Sequence, residues 1–159
     1  MARSDEGLEK AQTTEDTTPE IEERPVNLAG KRVLLVEDNR LNREIAADIL
    51  TECGMLVETA SNGREGFQKL SLSQPGYYNV VLMDIQMPVM DGCEATKTIR
   101  RLRSKMLAEI PIIAMTAGVS DEDKKKAFDA GMDGYVEKPI NISKLLRAIQ
   151  TALKRSYSG

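Results

Sequence analysis

The sequence predicts an α/β fold with a doubly wound, five-stranded parallel sheet. From residue 32 onward, short apolar segments alternate with stretches of helical periodicity. Several of the apolar segments consist almost entirely of Val, Ile and Leu, which is typical of parallel strands covered by helices on both faces. Five strand and helix pairs fit into about 125 residues, and each parallel connection requires a right-handed crossover through a helix. These observations favour one open sheet with helices on both sides.

Each predicted strand is a short apolar run. The five runs are RVLLV at 32–36, MLVETA at 55–60, NVVLM at 79–83, IPIIAM at 110–115 and GYV at 134–136. The first, third and fourth runs are nearly continuous in Val, Ile and Leu, so we expect them to be covered on both faces.

Apolar side chains at helical spacing predict five helices. Leu41, Ile45 and Ile49 mark the apolar stripe of the first helix, and Gly54 ends it. The stripes of the second, third and fifth helices are formed by Phe67 and Leu70, by Ile99 and Leu102, and by Ile142, Leu145, Leu146, Ile149 and Leu153.

Capping residues support two of these helices. Asp91 is the expected N-cap of the third helix. In SDEDKKKAFDAG, Ser120 is the expected N-cap of the fourth helix, the acidic residues occupy its first turn, and Gly131 ends it.

Charge is distributed unevenly along the chain. Residues 1–29 carry eight acidic and three basic residues, a net of −5, so the remainder is +2 because the whole chain is −3. The first 29 residues lack any period and are predicted to be a disordered acidic tail or an interdomain linker. Residues 30–155 are predicted to form one domain, and 156–159 a flexible C-terminus.

The nearly neutral body gives no electrostatic reason to expect a nucleic-acid partner. The three lysines at 124–126 and the arginines at 100, 101 and 103 are interpreted as solvated helix surface. The sequence contains no apolar stretch long enough to cross a bilayer and no signal or transit peptide, so we expect a cytoplasmic location without membrane contact. Cys53 and Cys93 lack metal-ligand spacing and are predicted to be reduced, partly buried thiols.

Polar residues stand at the ends of four of the predicted strands. Glu37 and Asp38 follow the first strand, Asp84 the third, Thr116 the fourth and Lys138 the fifth. Ligands of open α/β sheets bind outside the carboxyl ends of the strands. The sequence therefore predicts a pocket with three carboxylates, one hydroxyl and one amine.

Carboxylates that lie close together repel one another and favour a bound cation. Oxygen ligands in an open site favour Mg²⁺, to which the carbonyl of Gln86 could add a further oxygen. Such an ion would neutralise a phosphoryl group arriving at Asp84, and Lys138 and Thr116 could bind its oxygens. Asp84 is thus a candidate nucleophile that forms an acyl phosphate.

Four motifs carry a resemblance to a known family. VLLVEDN, VVLMDIQMPVMDG, IIAMTA and GYVEKPI, in this order and spacing, resemble the receiver domain of two-component response regulators, especially the receivers attached to hybrid sensor histidine kinases. The resemblance covers residues 31 to 154. It implies a flavodoxin-like (βα)5 fold with strand order 2-1-3-4-5.

The resemblance also implies roles for particular residues. For the metal, Asp38 and Asp84 are direct Mg²⁺ ligands, Glu37 acts through water, and Gln86 offers its backbone carbonyl. For the phosphoryl group, Asp84 is the phosphoacceptor, and Lys138 and the backbone of Ala117 bind the group. For the conformational switch, Thr116 is the hydroxyl and Tyr135 the aromatic residue. Mn²⁺ is an alternative metal. The bond between Lys138 and Pro139 is expected to be cis, and the Glu-Asp acidic pair stands where the family also has Asp-Asp.

The implied function is that of a phosphoacceptor in a phosphorelay. Because the sequence contains no histidine, the phosphohistidine donor must be a separate histidine kinase or histidine phosphotransfer protein, or a part of a longer chain. Phosphorylation would draw Thr116 inward and move Tyr135, changing the surface formed by the fourth helix, fifth strand and fifth helix. The resemblance implies a monomer or weak dimer and no enzyme activity beyond the domain's own phosphorylation and dephosphorylation, although the parent protein could be a histidine kinase in a membrane.

Several alternatives remain open on the residues alone. The chain could be a stand-alone response regulator or a receiver-like scaffold that is never phosphorylated. A phosphohydrolase of the haloacid dehalogenase type would need a second Asp two residues after the nucleophile, where this sequence has Gln86. A nucleotide or flavin site would need glycines where the first strand is followed by acidic residues.

Overall fold

The computed structural model describes residues 28–117 and 120–158, with side chains up to residue 154. The strands are β1 (Arg32–Val36), β2 (Leu56–Ala60), β3 (Val80–Asp84), β4 (Ile112–Thr116) and β5 (Gly134–Glu137). The helices are α1 (Arg40–Glu52), α2 (Gly63–Ser71), α3 (Gly92–Arg100), α4 (Lys105–Ala108), α5 (Asp121–Ala130) and α6 (Ile142–Ser158).

The five strands form one parallel sheet in the order β2-β1-β3-β4-β5. This confirms the predicted strand order 2-1-3-4-5. β3 lies at the centre between β1 and β4, and all five of its residues are buried. The sheet order reverses between β1 and β3, so the polar residues that follow these two strands meet at the switch point of the fold.

Helices cover both faces of the sheet and enclose two separate cores. One core contains Leu50 of α1 and Ile149 of α6. The other contains Leu70 of α2, Ile99 of α3 and Ala127 of α5. The doubly wound arrangement is therefore confirmed, and burial on both faces explains the continuous apolar sequence of the central strands.

The predicted buried stripe of α1 is wrong. Leu41 is 66 % exposed and Ile45 is 49 % exposed, whereas the helix buries Ala46 and Leu50. Both sets of residues have a spacing of four, so helical periodicity alone does not decide which set faces the sheet. The small side chain of Ala46 allows the helix to lie close to the strands, and Leu41 and Ile45 are left in solvent.

Two further details differ from expectation. The four-residue helix α4 has no counterpart among the predicted elements and lies between the predicted third helix and fourth strand. The arginine cluster after α3 is not uniformly solvated, because Arg100 is half-buried and donates hydrogen bonds to the carbonyl oxygens of Ala108, Ile110 and Gly131. Arg101 is exposed, as expected.

The domain begins slightly earlier in the structure than the sequence suggested. Leu28 is 3 % exposed and belongs to the core beneath α1 and α6, although residues 1–29 were assigned to the tail. Residues 1–27 and Gly159 lie outside the described part of the chain. The backbone of α6 continues to Ser158, within the segment 156–159 that was assigned to the C-terminus.

The predicted caps are present. Asp91 accepts a hydrogen bond from the Glu94 amide in a complete capping box at α3. Ser120 caps α5, and Gly131 ends that helix in the left-handed conformation. Cys53 and Cys93 are free thiols of intermediate burial. Among the described residues, no helix has the length and apolar character that a membrane span requires.

Candidate functional site

The register of the sheet brings two acidic residues side by side. Val36 of β1 pairs with Met83 of β3, so the next residues, Glu37 and Asp84, stand on neighbouring strands. Glu37 extends the first strand by one bond, because its amide donates to the carbonyl oxygen of Ala60 at 3.0 Å. Both side chains are placed at the carboxyl edge of the sheet by continuous strand pairing.

Three carboxylates form a compact cluster at this edge. One oxygen from each of Glu37, Asp38 and Asp84 lies within 4.8 Å of the others. Glu37 is 2 % exposed and Asp84 is 5 % exposed, whereas Asp38 is exposed. The cluster therefore has two buried members and one that faces solvent, which leaves one side open.

Lys138 connects the two buried acids. Its Nζ lies 2.7 Å from Glu37 Oε1 and 3.1 Å from Asp84 Oδ2. The residue follows β5, its amide donates to the carbonyl oxygen of Thr116, and its bond to Pro139 is cis as expected. One ammonium group thus partly neutralises two carboxylates that come from distant segments of the chain.

The surroundings of Asp84 disfavour its charge. Burial is the largest cause and the nearby Glu37 carboxylate adds to it, and together they outweigh Lys138 and raise the pKa of Asp84 to about 6. The backbone amide of Gln86 donates to Asp84 Oδ1 at 3.3 Å, which is a long hydrogen bond. The positive charge and hydrogen-bond donors around Asp84 are therefore too few to stabilise its ionised form fully.

The ends of β3 and β4 place three more of the predicted site residues at the carboxyl edge of the sheet: Gln86, Thr116 and Ala117. Thr116 ends β4, the strand beside β3, and is 5 % exposed. Gln86 and Ala117 follow the ends of β3 and β4 respectively, and both are exposed. The residues predicted for the pocket thus stand at the same edge of the sheet.

Tyr135 lies outside the acidic cluster. It pairs in the sheet with Ala114, two residues before Thr116, and is half-buried. Its ring packs edge-to-face on Phe128 of α5 with 6.3 Å between centroids, and Lys124 Nζ lies 5.0 Å from the ring centroid. The ring therefore connects β5 to α5.

The donor set suits a hard divalent cation. Three carboxylates lie close together, and the Lys138 ammonium alone does not neutralise their charge. The raised pKa of Asp84 reflects this shortage of positive charge. Oxygen donors and an exposed third ligand fit Mg²⁺, which usually binds one or two carboxylates and keeps several waters. The Asp38 and Asp84 carboxylates could bind it directly, and the roles predicted for the Gln86 carbonyl and for Glu37 through water stay predictions.

Two residues that no sequence motif identified contact the acidic pair. The amide of Asn39 donates to Glu37 Oε2 at 3.0 Å, and Arg43 donates to the carbonyl oxygen of Glu37 at 2.8 Å. Asn39 is also the N-cap of α1. The N-cap residue type of Asn39, directly after two acids, was the available signal for that residue, whereas no residue type marks the backbone partner of Arg43.

One protein family model and several known proteins match most of the chain. The family model described as "Response regulator receiver domain" matches residues 33–150. The chain is 39 % identical over 132 residues to hybrid signal transduction histidine kinase L of Dictyostelium discoideum, and 38 % identical over 144 residues to probable histidine kinase 2 of Oryza sativa subsp. indica. These matches cover 82 % and 84 % of the chain but only 8 % and 14 % of the relatives' own lengths.

Solved structures show the same fold. One is the receiver domain of a sensor histidine kinase from Pseudomonas aeruginosa, with a magnesium ion coordinated in the active site cleft. It superimposes on this chain with a TM-score of 0.71 at 32 % identity, and the match covers 79 % of this chain and 99 % of that one. Another is the chemotaxis protein CheY4 of Vibrio cholerae, with a TM-score of 0.70 at 32 % identity, covering 78 % of this chain and 99 % of that one.

Proposed function

The chain belongs to the response regulator receiver domain family, and from that premise we propose that it accepts a phosphoryl group from a partner phosphohistidine onto Asp84. The observation that carries the proposal is the cluster of Glu37, Asp38 and Asp84 with the Lys138 ammonium in contact with two of them. This arrangement places a nucleophilic carboxylate beside an ammonium group. The ammonium group can bind the negatively charged oxygens of an incoming phosphoryl group.

The transfer is a single displacement at phosphorus. An oxygen of Asp84 attacks, the bond between phosphorus and the donor's imidazole nitrogen breaks, and the imidazole leaves with those electrons. Lys138 exchanges its contact with Asp84 for one with the phosphoryl oxygens, and Thr116 supplies a hydroxyl from the adjacent strand. Bound Mg²⁺, with Mn²⁺ as an alternative, would supply charge neutralisation between the carboxylates and the phosphoryl group.

The donor comes from outside these 159 residues, because they contain no histidine. A histidine kinase or a histidine phosphotransfer protein fits this requirement. Two exposed apolar residues of α1, Leu41 and Ile45, stand on the helix that follows the acidic pair, and Val89, 73 % exposed, stands in the loop after Asp84. Exposed apolar residues on the segments that follow Asp38 and Asp84 suit a helical partner that presents its histidine to Asp84.

The wider setting of the domain follows from its relatives. We propose that the chain is the receiver of a hybrid histidine kinase, with a stand-alone response regulator as the alternative. Within that proposal the domain is cytoplasmic, monomeric or weakly dimeric, and makes no contact with nucleic acid or membrane.

Intact mass spectrometry tests the proposal. Wild type incubated with acetyl phosphate and Mg²⁺ should gain one phosphoryl group, and the adduct should be absent with a chelator or in Asp84→Asn. Asp48→Asn is the matched control, because Asp48 is an exposed acid farther along α1 and its loss should leave the adduct unchanged. An adduct that persists in Asp84→Asn would contradict the assignment, and steady phosphate release from many unrelated esters would indicate a phosphohydrolase.

A further inference from the structure

We propose that Arg43 is a positioning residue that fixes the turn carrying Glu37 and Asp38 and thereby sets the affinity of the site for a divalent metal ion. The inference rests on the proposed function, since it concerns the metal on which the phosphoryl transfer depends. It assigns a role to a cation that lies beside the acidic cluster without contacting any of its carboxylates.

Three contacts tie Arg43 to the turn between β1 and α1. Its Nη1 donates to the carbonyl oxygen of Glu37 at 2.8 Å and makes a longer contact with that of Asp38 at 3.4 Å. Its backbone amide donates to the carbonyl oxygen of Asn39 at 2.8 Å. One residue in the first turn of α1 therefore contacts three consecutive carbonyl groups that precede it.

The side chain of Asp38 depends on this backbone. The Glu37 carboxylate is held directly, by Lys138 at one oxygen and by the Asn39 amide at the other. Within residues 28–117 and 120–158, the Asp38 carboxylate receives no hydrogen bond and forms no ion pair. Its direction is therefore set by the conformation of the turn, which Arg43 restrains through the two carbonyl groups.

The charge and the geometry of Arg43 act in opposite directions on a bound cation. A guanidinium beside the acidic pair repels a divalent ion, so removal of its charge alone would tighten metal binding. Loss of its hydrogen bonds would loosen the turn and weaken metal binding, because groups that orient metal ligands typically contribute about tenfold or more to affinity. The sign of the change therefore separates the two roles.

Calorimetric titration with Mg²⁺ of three variants tests the proposal. Arg43→Lys retains the charge but removes Nη1, the one nitrogen that contacts both carbonyl groups, and Arg43→Met lacks both the charge and the donor. We expect both to weaken Mg²⁺ binding by about tenfold relative to wild type. Arg40→Met is the matched control, because Arg40 lies on the same helix, is exposed and pairs only with Glu44 among the described residues; its Mg²⁺ affinity should stay within about twofold, as expected for an exposed ion pair.

Thermal unfolding of the same variants completes the test. If Arg43→Met tightened Mg²⁺ binding while Arg43→Lys left it unchanged, the guanidinium would act as a charge only. If the variants unfolded at lower temperature but bound Mg²⁺ as wild type does, its role would be structural only, and either result would overturn the proposal. A wild type that binds Mg²⁺ but forms no phosphoryl adduct would contradict the proposed function alone, and one that binds no Mg²⁺ would overturn both.

Discussion

The carboxyl group of Asp84 is held where its charged form is disfavoured. Burial and the neighbouring Glu37 raise its pKa from 3.8 to about 6, in spite of Lys138. In the unfolded chain the group ionises near its ordinary value, so folding must keep an anion in an unfavourable place above about pH 6. The domain retains this residue at a cost to stability, which is common for groups that serve a reaction.

The substitution Asp84→Asn should therefore stabilise the domain at neutral pH in the absence of metal. The shift in pKa corresponds to about 3 kcal/mol in the free energy of unfolding. The unfolded carboxyl group ionises as the pH rises through about 4 while the folded one stays neutral until about 6, so the wild type loses stability across this interval and remains less stable above it. Urea unfolding with chelator at about pH 7 and about pH 4 measures the difference.

The gain should fall to a small part of its neutral value near pH 4, because the folded carboxyl group is then protonated and the unfolded one is still about half protonated. If Asp84 is a metal ligand as proposed, added Mg²⁺ should stabilise the wild type more than the variant. Equal stability of the two proteins at neutral pH without metal would show that Lys138 compensates the buried charge in full.

Single residues differ in how far the sequence reveals them. Asp84 and Lys138 could be predicted because each directly follows an apolar strand, and parallel strands end at one edge of a sheet. Arg43 and Arg100 could not be predicted, since both act on backbone carbonyl groups. A carbonyl group is present at every position, so no residue type marks the partner of such an arginine.

Among the helices and strands, α3 shows how one side chain joins several elements. Besides the three carbonyl groups that it contacts, Arg100 reaches Asp133 Oδ2 at 3.0 Å. That oxygen also accepts the amide of Ile112 at the start of β4. Burial lowers the pKa of Arg100, and Asp133 partly opposes this. The guanidinium thus connects α3 to the ends of α4 and α5.

Arg100→Met should destabilise the domain by about 2–4 kcal/mol, because it leaves half-buried carbonyl groups without their donor and removes the ion pair with Asp133. Arg101→Met is the control, since Arg101 is the next residue along the chain and is exposed. Its effect should be about 0.5 kcal/mol or less. Guanidinium chloride unfolding gives both values, and equal midpoints for the two variants would contradict the structural role of Arg100.

The elements were predicted with uneven success for physical reasons. The strands fell within two residues of their observed ends because covered parallel strands are continuously apolar. The helix α4 was missed because four residues hold no periodicity. The buried face of α1 was wrong because the exposed Leu41 and Ile45 have the spacing of a core stripe, while the buried Ala46 carries little hydrophobic signal.

At the scale of the whole molecule, Tyr135 connects the sheet to α5. It lies in β5, the strand that precedes Lys138 of the acidic pocket, and its ring packs on Phe128 of α5. Phosphorylation of Asp84 is expected to draw Thr116 towards the pocket and change the packing of Tyr135 on Phe128. Amide NMR spectra with acetyl phosphate and Mg²⁺ should then show larger shifts at Tyr135 and residues 120–130 than at β2 on the opposite edge of the sheet. Asp84→Asn should show no such shifts.

An unchanged spectrum around Tyr135 in phosphorylated protein would contradict this switch while leaving phosphorylation itself intact. The comparison with β2 matters because a general change in stability would move both edges. A response confined to residues near Asp84 would place the signal at the pocket itself.

The position of Lys138 also links chemistry to the order in which the chain folds. Lys138 follows β5, an edge strand paired only with β4, and lies 54 residues beyond Asp84 in the sequence. The acids of β1 and β3 belong to the middle of the sheet, so they can be in place before the last strand has joined. Parallel pairing between distant segments is slow to form. Before that strand has joined, the acids would lie together without their ammonium, so under the proposed function phosphorylation of Asp84 requires the final strand to be in place.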